Sequence, residues 1–298
     1  MNWQRQTILC LVMLIPTAPL PTGFAEASQS WPNEPAGSAV LLDCGFDSPN
    51  CEGRLFDGYN TMAYGTLSVQ QDGTAPLSPN NVMRSTMNYQ SRNGGTQLER
   101  RDPANLTEVF VGLWWRSNPE FTGSMVGANK MFFIRGGPNQ NGVFVWAKTP
   151  GSTAVSRLYW TTQLPYNLNQ CGGTDLDQCY GNAGTFVDFI PGTWYRIEVY
   201  MKASSCPTCR DGIARWWITP KGGSPVLVGN YTNFAYGPLV NEWVWSETWD
   251  GGGSGTGFTS DPSHFIDHLH ISAPSGASST DSPPGPPAAP TIRSVAVP

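Results

Sequence analysis

Two neighbouring segments constrain this chain most: Trp194–Lys202 and Ile213–Thr219, joined by the turn-forming stretch Ala203–Gly212. Successive residues of a strand point to opposite faces, so each segment sorts into two sets. Tyr195, Ile197, Val199 and Met201 make one apolar face, and Ala214, Trp216 and Ile218 match it. Opposite them stand Trp194, Arg196, Glu198, Tyr200 and Lys202, with Ile213, Arg215, Trp217 and Thr219. The period is two, not 3.6. It predicts an antiparallel strand pair with one oily side and one aromatic, charged side.

The same signature recurs along the chain. Strands are expected at 40–46, 62–69, 108–116, 130–135, 143–148, 157–162 and 186–189, then after the hairpin at 226–228, 243–249 and 264–272. Glycine (33) and proline (26) fill the gaps, and no long helical period or repeat is visible. Many short strands between turns predict an all-β chain, an antiparallel β-sandwich of jelly-roll type. Aromatic residues reach 12% and charged residues only 13%, against about 25% charged in ordinary domains. Twelve tryptophans beside 13 phenylalanines are more than one core is expected to bury, which sends some indoles to the surface.

Arg5, the apolar run Ile8–Ile15 and the Ala25-Glu-Ala27 site read as a secretory signal over residues 1–27, too short to span a bilayer. Residues 28–39 are expected to be a flexible mature N-terminus, 40–273 the sandwich domain, and 274–298 a Pro/Ser/Gly-rich linker or tail. Without Arg5 and Glu26, the 17 basic and 22 acidic residues become 16 and 21, still mildly acidic. That balance argues against a nucleic-acid partner. Six cysteines then remain: Cys44, Cys51, Cys171, Cys179, Cys206 and Cys209. An even number in an exported chain implies disulfides, and the spacing suggests three local pairs in that order. Cys206-Pro-Thr-Cys209 lies in a turn between strands, so it reads as a staple rather than a redox motif.

Sugar rings present C–H faces that lie flat on aromatic rings, and hydroxyls that need charged or amide partners. Trp114, Arg196, Glu198, Tyr200, Arg215 and Trp217 are accordingly the candidate substrate-binding residues of a concave, polysaccharide-holding groove. Closely spaced strand carboxylates for glycoside hydrolysis are absent. An eliminative lyase needs other parts: a cation or amide for the uronate carboxylate, and a base for the C5 proton. Alternation in 264–272 puts His268 and His270 with Ile266, opposite Asp267 and Leu269, and offers His268 as a base. No metal ligand set can be nominated and no cofactor is implied. Asp43, Asp47, Asp57 and Asp267 have the oxygen chemistry of a structural calcium site, with plain solvation the simpler reading.

Asn129–Ile134, Trp194–Tyr200, Asp211–Ile218, Trp249–Gly253 and Phe265–Ser272 together resemble the concanavalin A-like lectin/glucanase superfamily. The likeness is to its laminin-G-like and sandwich polysaccharide-lyase branch. The resemblance implies a strand lysine, an arginine and a tyrosine at the reacting uronate, for which Lys130, Arg157 and Tyr159 are the candidates. It favours a lyase over a hydrolase if the chain is catalytic. Two alternatives stay open: a non-catalytic carbohydrate-binding module of a larger secreted protein, and an adhesive or structural surface domain.

Overall fold

The fold is an antiparallel jelly-roll sandwich, seen in a computed structural model. Its eight-stranded sheet runs β12 (Val226–Phe234), β11 (Gly212–Pro220), β10 (Tyr195–Lys202), β5 (Glu108–Ser117), β14 (Ser263–Pro274), β3 (Asn81–Met87) and β2 (Gly65–Gln71). β1 (Ser38–Cys44) also pairs with β14. The six-stranded sheet runs β4 (Gln97–Arg101), β13 (Glu242–Thr248), β6 (Asn129–Arg135), β7 (Gly142–Lys148), β8 (Ser156–Gln163) and β9 (Val187–Phe189). The structure describes residues 31–46, 65–77, 81–87, 97–101, 106–120, 129–135, 142–148, 156–163, 187–206, 209–237, 239–240, 242–248 and 261–274. It gives β4, β7, β8 and parts of β6 and β13 by their backbone alone.

The expected hairpin forms residue for residue: Ile197 pairs with Ile218, Val199 with Trp216 and Met201 with Ala214. Its oily side faces the core, where Trp115, Trp216 and Trp245 are fully buried among side chains of both sheets. Truncating one of these indoles to alanine costs about 3–5 kcal/mol. Trp216 is seated by a missing side chain: a β-carbon on Gly229 would lie 2.1 Å from its ring.

Most of the described indoles are buried, namely Trp31, Trp114, Trp115, Trp194, Trp216, Trp243 and Trp245, while among the described tryptophan side chains Trp217 is partly exposed. Within the expected flexible terminus 28–39, Trp31 is buried and β1 starts at Ser38, while residues 28–30 lie outside the described residues. Two strands were missed. β3 (Asn-Val-Met-Arg-Ser-Thr-Met) and β4 (Gln-Leu-Glu-Arg-Arg) carry too few apolar residues to show a period. Cys206 and Cys209 are bonded to each other, and Cys44 is also in a disulfide. Cys51, Cys171 and Cys179 lie outside the described residues. Among the described residues no helix is long and apolar enough to cross a membrane.

Candidate functional site

The outward side of the eight-stranded sheet carries the aromatic and charged half of the hairpin, and most of it is covered. Trp31, Val82, Phe110, Trp114, Trp194 and Phe265 form a second apolar cluster there. Trp31 lies over Gly112 and stacks on His270, ring centroids 5.6 Å apart. Asn33 follows it down, donating from its backbone N–H and from Nδ2 to the two oxygens of Glu198, at 3.1 and 2.9 Å. Arg196 adds a third donor to Glu198 at 3.0 Å. A buried carboxylate is tolerated only when its lone pairs are met in this way. Residues 72–77 close the other half. Asp72 pairs with Arg116, Thr74 accepts from Trp194 Nε1 at 3.1 Å, and the Leu77 N–H donates to Asp267 at 2.7 Å.

The candidate substrate-binding residues therefore divide. Trp114 and Glu198 are buried and unavailable to a ligand, which corrects their assignment. Arg196 is committed to Glu198 and lies over the Trp114 ring. Tyr200, Arg215 and Trp217 remain partly exposed. The Tyr200 hydroxyl donates to Glu108 at 2.7 Å; burial and that carboxylate push its pKa up, which makes it a poor base.

His268 is corrected as well. The β14–β5 register shifts between Asp267 and Leu269, and His268 takes a φ of 53°. This bulge resets the alternation: Ile266, Leu269 and Ile271 face the core, while Asp267 and His270 lie outward. His268 Nδ1 rests 3.3 Å from Asp267. It belongs to the eight-stranded sheet, whereas Lys130, Arg157 and Tyr159 belong to the six-stranded one. The four expected catalytic residues are thus not one constellation. Asp43 and Asp267, two of the calcium candidates, meet His270 and the Leu77 N–H instead. Asp47 and Asp57 lie outside the described residues, and among the described residues no group of three or more His, Cys, Asp or Glu is placed to hold a metal ion.

The six-stranded sheet keeps the other three together. Phe132 and Ile134 of β6, Trp243 and Trp245 of β13, and Val187 and Phe189 of β9 fill the core. The register then sets a row on the opposite face: Thr248, Lys130, Trp146 and Tyr159 stand side by side across β13, β6, β7 and β8. The next row holds Lys148, Arg157 and the exposed Asp188. Strand period two puts Arg157 on the same face as Tyr159. Further along that face the Arg135 guanidinium covers the Phe133 ring at 4.8 Å. By register and alternation, positions 130, 146, 157 and 159 thus fall on one sheet face. Sequence reasoning missed Trp146, although its alternation with Val143 and Val145 marked it as opposite the core.

No protein-family model matches the chain, and no curated protein does. Solved structures do. The PL-14 alginate lyase from Aplysia kurodai matches with a TM-score of 0.57 and 11% identity, over 79% of this chain and 100% of that one. Alginate lyase vAL-1 from Chlorella virus gives 0.52 and 12%, over 79% and 100%. An endo-β-1,4-glucuronan lyase from the fungus Trichoderma reesei gives 0.51 and 14%, over 79% and 96%. The chain shares their sandwich fold. At such identity the likeness is one of architecture, and function has to be argued from the site.

Proposed function

We propose that this chain is an exported carbohydrate-active protein, and that the outward face of its six-stranded sheet is an eliminative lyase site for a uronate polysaccharide. The observation that carries the reading is the row Lys130–Trp146–Tyr159 with Arg157 beside it, in a sandwich shared with alginate and glucuronan lyases. Arg157 would neutralise the uronate carboxylate, which acidifies the C5 proton. Tyr159 would remove that proton, and Lys130 would stabilise the enolate as it forms. The electron pair would then form the C4=C5 double bond as the C4–O bond breaks, and Tyr159 would return its proton to the leaving glycosidic oxygen. Trp146 would supply the stacking platform.

The test is incubation with alginate, glucuronan and glycosaminoglycans, read by ultraviolet absorbance of the unsaturated uronate. A flat trace on every substrate removes the lyase assignment. Retardation in polysaccharide gels without cleavage would instead support the binding-module alternative.

A further inference from the structure

We propose that Asn230 is an N-glycosylation site. The tripeptide Asn230-Tyr-Thr232 is an Asn-x-Thr acceptor with no proline at its centre. It lies on β12, the edge strand of the eight-stranded sheet. Residues on both sides of Asn230 anchor the strand: Tyr231 stacks on Trp216 and Gly229 lies against the same ring. Alternation then turns Asn230 and Thr232 away from the core, and both are exposed.

The carboxamide is also oriented. Arg215 Nε donates to Asn230 Oδ1 at 2.9 Å, and a guanidinium can only donate, so the atom it holds must be the oxygen. Nδ2, the atom that takes the sugar, is on the other branch of the amide. In the transfer, a bond forms between Nδ2 and C1 of the sugar. The C1–O bond to a lipid-linked oligosaccharide pyrophosphate breaks, the pyrophosphate keeps the electron pair, and an amide proton is released. The product stands on an edge strand of the described sheet. It also grows beside Arg215 and the partly exposed Trp217, so the carbohydrate nearest that indole is the chain's own. The proposal rests on export of the chain and not on its catalysis.

The experiment expresses the full chain, signal included, in a glycosylating eukaryotic host. Protein from the medium is digested and treated with peptide N-glycosidase in ¹⁸O-water. The peptide containing Asn230 is expected to carry the Asn-to-Asp mass tag. Asn230→Gln and Thr232→Ala are expected to abolish it and speed gel migration by one glycan, and Thr232→Ser to restore it. A second tripeptide, Asn105-Leu-Thr107, is the internal control. A tag at Asn105 with Asn230 unmodified overturns the site while leaving export intact. Protein in the medium with neither tag overturns the site although export holds, and retention of unmodified protein inside cells overturns the proposal at the level of export.

Discussion

The indole of Trp31 rests directly on Gly112: a β-carbon added there would sit 2.5 Å from its Cε3 atom. The contact joins the segment just before β1 to the middle of β5. Gly112→Ala is expected to lift the indole off His270 and to cost about 1–3 kcal/mol by overpacking. Thermal melts of Gly112→Ala, Trp31→Ala and the double variant check it. Coupling requires the double variant to lose less than the two single losses combined.

Asn33 provides two of the three donors to buried Glu198 seen in the structure, its backbone N–H and its side-chain Nδ2, across 165 residues of chain. Asn33→Ala keeps the backbone donor and removes the amide, leaving one carboxylate oxygen with Arg196 alone. A loss of about 1–3 kcal/mol is expected in urea unfolding. An unchanged midpoint would mean that the N-terminal segment does not stay docked in solution.

Two histidines give opposite pH slopes. His264 is fully buried, accepts from Trp115 Nε1 at 3.2 Å, and burial lowers its pKa from 6.5 to about 3. Between those values the unfolded chain binds a proton that the folded chain refuses. Stability therefore falls as pH drops below about 6.5, by at most about 1.4 kcal/mol per unit from this group. His270 is the reverse. Burial lowers its pKa, but Asp43 and Glu34 at 3.3 and 3.1 Å outweigh that and raise it. Its contribution is complete below pH 6.5 and is lost as pH rises through the higher folded value. Unfolding curves of His264→Gln and His270→Gln at several pH values separate them: the first flattens the acid slope, and the second is weaker than wild type in mild acid and converges with it in alkali.

The two outward faces make different demands on mutants. Tyr159→Phe and Lys130→Ala are expected to lower uronate elimination by about 10²-fold or more with the melting curve unchanged. Trp217→Ala, on the other sheet, is expected to leave the rate near wild type. The reverse ranking would move the site to the eight-stranded sheet.

The Cys206–Cys209 bond closes only the short turn between β10 and β11. Loop-closure entropy then limits its stabilisation to about 2 kcal/mol. The Cys206→Ser/Cys209→Ser protein is expected to fold, with a lower melting temperature.

The hairpin was legible because burial demands one face, and alternation reports which residues share it. Alternation does not report which sheet a strand joins. For that reason His268, Arg196 and Arg215 were grouped with Lys130 and Tyr159 although they stand on opposite layers. The bulge at His268 was invisible for a related reason: an extra residue leaves the composition of a strand unchanged while inverting every later face. Trp31 and Asn33 looked like tail residues because their partners, Gly112, His270 and Glu198, lie far along the chain.

β14, the last strand in sequence, lies in the interior of its sheet, with β5 along one side and β3 then β1 along the other. A nascent chain that has emerged only as far as β13 has no native neighbour for one edge of β5, for the edge of β3 away from β2, or for β1. Ribosomal synthesis must therefore deliver residue 274 before the larger layer can close, and the barrier is dominated by contacts distant in sequence. Until that moment the larger layer stays split between its two halves.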